Sequence, residues 1–145
     1  MTELIQQPEE SVICGQCCVA MLTGANLSKV INLVGHRHST KTKELVKVIR
    51  RLGFDCPDRL YHVKGVQYAL ASVERALVKI TWEHTKSWHW VAWADDLIFD
   101  PSSESPLGNF SLYEYLGGRP TSYLEISSGT GWAPMQLILE QGRRQ

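Results

Sequence analysis

Three of the four cysteines of this 145-residue chain crowd into ICGQCCVAM at 13–21, as Cys14, Cys17 and Cys18. A thiol does chemistry as a thiolate, either holding a metal or attacking an electrophile. Cys14 and Cys17 have C-x2-C spacing, His36 and His38 follow, and Cys56 comes later; thiolate and imidazole together suit zinc. Against zinc, both cysteines open an apolar helical stretch rather than a knuckle loop, and two histidines one residue apart make an unusual second pair. Thioredoxin-like exchange needs C-x-x-C just after a strand in a βαβ setting, and no strand pattern precedes Cys14. The expectation is a site with neither metal nor cofactor.

A nucleophilic thiol is activated by a helix N-terminus and a neighbouring imidazole. Cys14 falls where the first helix should begin, followed by Gly15, which lets backbone and substrate approach closely. Cys17 and Cys18 lie inside that helix, where free cysteine packs as a small apolar residue. Among His36, His38, His62, His84 and His89, the last stands apart, in SWHWVAWADDLIFDP. If Asp95 and Asp96 form a two-residue turn, the flanking strands pair antiparallel and Val91 falls opposite Asp100. Asp100 is then a near diagonal neighbour of His89. A carboxylate there fixes the imidazole tautomer. Acyl transfer also needs donors for an oxyanion, and Gln7 and Gln6 precede Cys14 on the segment that must pass the helix start.

These residues need elements to hold them. Cys14, Cys18, Met21 and Leu22 recur at helical spacing up to Gly24. Asn26 or Ser28 caps a second helix ending at Gly35. Thr40 or Thr42 begins a third, whose apolar stripe is Leu45, Val46, Val48, Ile49 and Leu52, with Gly53 at its end. Lys41, Lys43, Lys47, Arg50 and Arg51 are spaced as the solvated face of that helix. Residues 54–64 read as irregular or strand, broken at Pro57, and 66–74 as a short helix. The period then changes to two, predicting strands over 76–82, 88–93 and 97–99. Ser111 is expected to cap a helical turn closed by Gly117 and Gly118, before a last strand over 121–126. The class is α+β, with N-terminal helices packed on a C-terminal antiparallel sheet.

The order Gln, C-G-x-x-x-x-x-M, HWVAW, DP resembles the papain-like cysteine peptidases that process double-glycine leaders of bacteriocins, and their stand-alone relatives. The resemblance runs from about Gln7 to Pro101. TKTKELVKVIRRLGF looks like the helix those domains place after the nucleophile helix, and ALVKITW like the strand before their histidine strand. It implies a papain-like fold, Cys14 as nucleophile, His89 as general base and acid, and Asp100 as the orienting carboxylate. The family's glutamine stands six positions before the cysteine, where this chain has Pro8. Gln7 is therefore assigned to the oxyanion across a one-residue bulge, with Gln6 second. Gly15, Trp88 and Trp90 are expected beside the substrate. CGQCC also resembles the papain motif C-G-[SA]-C-[WY], which would make Cys17 the nucleophile. Gln16 and Cys18 break that motif, and His89 follows far sooner than that family's roughly 130–150 residues, so Cys14 is preferred.

Formal net charge is +0 and the pI is about 7.0, so no global field draws the chain to nucleic acid or anionic lipid. MTELIQQPEES lacks the basic start and apolar stretch of a signal peptide, and no apolar run reaches the roughly 20 residues of a membrane span. Cytoplasmic location and free thiols are expected. Residues 1–145 are expected to form one domain, with a polar lead-in over 1–12 and a tail over about 136–145 that is loosely ordered or a short helix. The expected activity is that of a thiol peptidase cleaving a peptide or isopeptide bond in a peptide or protein substrate. Two rivals stand beside it. One is acyl transfer of the transglutaminase kind on the same triad. The other is a non-catalytic peptide-binding module, with tryptophans lining a recognition groove. The oligomeric state is left open.

Overall fold

The computed structural model describes residues 2–128. Helix α1 spans Cys14–Thr23 and every residue from Cys14 to Leu22 is buried. A helix apolar on all sides belongs in the interior. Its one polar interior side chain, Gln16, is satisfied in part by donating to the carbonyls of His38 (3.0 Å) and His36 (3.3 Å). Gly24, at φ 78°, stops the helix in a left-handed cap, its N–H on the Ala20 carbonyl. Helix α2, Leu27–Val34, is capped by Asn26, whose side chain accepts from the Ser28 N–H at 2.8 Å. Helix α3, Thr42–Arg51, is started by Glu44, whose carboxylate accepts from the Lys41 N–H at 2.9 Å. It buries Leu45, Val46, Val48 and Ile49, the stripe its sequence spacing predicts.

The chain then makes two short strands, β1 (Phe54–Asp55) and β2 (Tyr61–His62), and a short helix α4 (Val66–Ala69) that runs on as a tighter turn over Leu70–Ser72. Strands β3 (Arg75–Trp82), β4 (Ser87–Ala94) and β5 (Leu97–Phe99) follow. Asp95 and Asp96 both have positive φ, 55° and 59°. A two-residue turn of that hand matches strand twist, and it pairs Ala94 with Leu97 and Ala92 with Phe99.

After helix α5 (Ser111–Tyr115), strand β6 (Gly118–Glu125) inserts between β2 and β3, so the antiparallel sheet runs β2-β6-β3-β4-β5. A last short strand, β7 (Ser127–Ser128), pairs with β1. Strand β6 starts earlier than the alternation predicts. Gly118 lies under the Trp82 ring, where a Cβ would come within 2.6 Å, so the apolar signal is absent there although the backbone pairs. Ser111 is not the cap of α5 either. It is the first helical residue, and its N–H and hydroxyl both donate to the Asn109 side chain. The expected terminal helix or loose tail lies outside the described residues.

Alternation along the strands gives the sheet two apolar faces. Leu77, Trp90, Ala92 and Leu124 pack with the helices α1 and α3. Val78, Ile80, Val91 and Trp93 pack with Val66, Leu70, Phe110 and Tyr113. His89 pairs with Ile80 in register, so it shares the second face while Trp90 belongs to the first.

Helix α1 has no room for a side chain at Gly15. A Cβ there would lie 2.1 Å from Thr40 Oγ1 and 3.1 Å from the Trp90 ring. Gly15→Ala should therefore destabilise the fold by about 1–3 kcal/mol through overpacking, read by urea denaturation. Combining it with Thr40→Ala should restore part of the loss, giving a non-additive double-mutant cycle.

Candidate active site

Cys14 is the first residue of α1. There the first backbone N–H groups have no intrahelical acceptor and the helix dipole favours negative charge. The thiol is 9% exposed, while Cys17 and Cys18 are at 0%. Burial and the neighbouring Cys14 push the Cys17 thiol up to about 12, and burial pushes Cys18 well above its ordinary value. Both keep their protons at neutral pH and pack, Cys18 in the helix–sheet core and Cys17 with Ile13 and Ile31.

His89 reaches Cys14 from β4. One ring nitrogen, Nε2, lies 2.7 Å from Asp100 Oδ1, and the ring is near enough to the Cys14 side chain for the two to interact. With Nε2 turned to the carboxylate, Nδ1 is the nitrogen left for sulfur. Burial opposes charge on this imidazole, but the Asp100 and Cys14 contacts outweigh it and push His89 up to about 10. Asp100 directly follows β5 and is 4% exposed. Burial pushes its carboxyl up. The His89 contact, the Tyr113 hydroxyl and the Ser102 N–H outweigh that and hold it below its ordinary value. A buried carboxylate is stable only with such donors.

Tyr113 is the site residue that sequence reasoning missed. Its O–H donates to Asp100 Oδ2 at 2.5 Å, while the Ser102 N–H donates to Oδ1 at 2.7 Å. Tyr113 is 4% exposed, and burial beside Asp100 raises its phenol, so it stays a donor. Its signal was faint: one of two tyrosines in the short SLYEY helix, reaching a carboxylate that the sequence pairs with His89 alone.

The remaining expected residues fall out differently. The Gln7 N–H donates to the Pro101 carbonyl at 2.9 Å, which lays the N-terminal segment beside Asp100. Its side-chain amide donates to the Ser11 carbonyl at 2.7 Å, committing one of its two N–H groups within its own turn. Gln6 is exposed. Trp90 is 1% exposed and its indole N–H is bonded to the Thr40 carbonyl at 3.1 Å, so it has no free surface for a substrate. Gly15 faces Thr40, Trp90 and Leu45, so it permits helix packing rather than substrate approach. Trp88, 36% exposed, stays at the surface with its ring edge-on to Trp90 and the Lys79 ammonium 5.1 Å above it.

His36 is turned to Glu44, 2.6 Å away, and stacks on His38. Among the described residues no three His, Cys, Asp or Glu side chains converge as a metal site. Compared with known proteins, the chain matches no family model and no curated protein.

Two outcomes follow from the Asp100 contacts. A carboxyl held below its unfolded value contributes stability that is present above about pH 3.9 and lost as pH falls through the folded value. Tyr113→Phe removes one donor from Asp100. It should cost about 2 kcal/mol and move acid unfolding to higher pH, followed by circular dichroism. An imidazole raised to about 10 contributes stability that is complete below about pH 6.5 and lost as pH rises toward that value. Asp100→Asn should lower the His89 titration, read by NMR of its ring protons, and remove this alkaline loss of stability.

Proposed function

We propose that the chain is a cysteine hydrolase of papain-like fold, cleaving a peptide or isopeptide bond in a peptide or protein substrate. The observation that carries this reading is the His89 ring, bonded to the buried Asp100 carboxylate and neighbouring the Cys14 thiol at the start of α1. The helix-then-antiparallel-sheet order and the resemblance to the double-glycine leader peptidases support it. That resemblance points to an extended substrate segment with small residues.

The steps are those of acyl transfer. His89, raised to about 10, enters the reaction with Nδ1 already protonated, and the Cys14 sulfur attacks the substrate carbonyl carbon, its π electrons moving to oxygen. Backbone N–H groups at the start of α1 and the second N–H of the Gln7 amide stabilise that oxyanion. The carbonyl re-forms, the C–N bond breaks, and the imidazolium gives its proton to the departing amine. Water then loses a proton to His89, attacks the thioester and releases the acid and the Cys14 thiolate. Asp100 keeps Nε2 protonated and the ring oriented throughout, and Tyr113 holds Asp100. The step needs no metal or organic cofactor.

An amine in place of water would turn the same thioester into a transferase product. A second reading, a peptide-binding module without turnover, is favoured by one observation: the Gln7 amide already donates to Ser11. The four cysteines are all free thiols, which suits a reducing compartment such as the cytoplasm. No helix among the described residues is long and apolar enough to cross a membrane.

Iodoacetamide at neutral pH should label Cys14 before Cys17, Cys18 and Cys56, as mapped by peptide mass spectrometry. Preferential labelling of Cys17 would overturn the assignment. Against a fluorogenic peptide library, Cys14→Ala and His89→Ala should each lower turnover on the order of 10⁴-fold or more, with melting unchanged for Cys14→Ala and lowered for His89→Ala, which strips a donor from the buried Asp100. A library run with an added primary amine separates hydrolysis from transfer. Binding without cleavage in the wild type supports the module.

A further inference from the structure

A groove of about 1070 Å³ lies between α3 and the segment leading into β2, and none of its lining residues belongs to the Cys14, His89, Asp100 and Tyr113 set. Its floor is apolar, from Val46 on the helix and Leu60 opposite. Its walls carry cations from both sides: Lys43, Lys47 and Arg51 on α3 and Arg59 across from them, beside the His62 ring. Arg50 also lines it but has a structural task. Its guanidinium donates to the Cys56 carbonyl at 2.7 Å and pairs with Asp58 at 2.8 Å, tying the second wall to the helix. Among the described residues, Lys43, Lys47, Arg51 and Arg59 have no ion-pair partner, and Asp58 is the only carboxylate lining the groove.

A solvated helix face explains cations on α3 alone. It does not explain a second set arriving from another segment around a shared apolar floor. Nor does overall composition, since the chain carries 15 basic and 15 acidic residues; the positive charge is concentrated here. We infer that this groove is a docking site for an acidic polypeptide segment carrying spaced apolar side chains. Its carboxylates would pair with Lys43, Lys47, Arg51 and Arg59, and its apolar side chains would cover Val46 and Leu60. Charge complementarity selects the sign of the partner. The apolar floor, with no Phe, Tyr or Trp in the lining, favours a polypeptide over a single-stranded nucleic acid, which is gripped by stacking. This inference stands apart from the proposed chemistry and holds for an enzyme or a binder.

Fluorescence anisotropy with a labelled glutamate-rich peptide carrying spaced leucines tests it. The full chain should bind the probe, and binding should weaken as salt rises. Lys47→Glu combined with Arg51→Glu should weaken binding about tenfold or more. Arg59→Glu, on the opposite wall and away from the helix, should weaken it too and serves if the double variant folds poorly. Lys29→Glu on α2, outside the groove, should leave it unchanged. Three results would overturn the inference: no binding at millimolar protein, equal binding by wild type and Arg59→Glu, or tighter binding of an oligouridine lost in the same variants. The last would assign the groove to nucleic acid.

Discussion

The buried Asp100 carboxylate ties this structure together. A charge at 4% exposure is tolerated only where donors replace water, and here they come from three separate parts of the chain. His89 reaches it from β4, Tyr113 from α5 and the Ser102 N–H from the loop after β5. The Gln7 N–H on the adjacent Pro101 carbonyl adds the N-terminal segment. Because each donor belongs to a different element, the satisfied carboxylate requires the elements to be correctly docked. The same contacts that make the charge bearable also fix the imidazole.

The second constraint is the seam between the two cores. Cys14 belongs to the helix core on one face of the sheet, and His89 lies on a strand position of the other face. They meet because α1 packs closely on β4, an approach that Gly15 permits by having no side chain against Thr40 and Trp90. Trp90, next to His89, fills the helix side and spends its N–H on Thr40. One dipeptide of β4 thus serves two purposes: the histidine faces the thiol and the tryptophan anchors the strand that carries it. The proposed chemistry depends on that packing as much as on the reacting groups.

The polar surface of α3 shows how tertiary context changes a residue's meaning. On the helix alone, Lys43, Lys47 and Arg51 are solvated charges. Arg50 bends the 56–58 segment back onto the helix, and Arg59 and His62 then face them across a groove. Charges that would repel one another are brought together, a cost to folding that an acidic partner would offset.

Much of the scaffold was legible because it is written in local chemistry. Gly24 and Gly35 end helices, Asn26 begins one, and Asp95-Asp96 sets a hairpin whose register brings Asp100 toward His89. Those signals act within a few residues, where steric and hydrogen-bond preferences do not depend on the rest of the chain. Other features arise at long range: β6 inserted between β2 and β3, Tyr113 on Asp100, Trp90 turned inward, and a second cationic wall opposite α3. None has a local signature, because burial and the satisfaction of buried polar groups depend on which distant surfaces meet. Local pattern shows which thiol begins a helix and which histidine has a carboxylate within reach. The packing of α1 on β4 decided that the two meet.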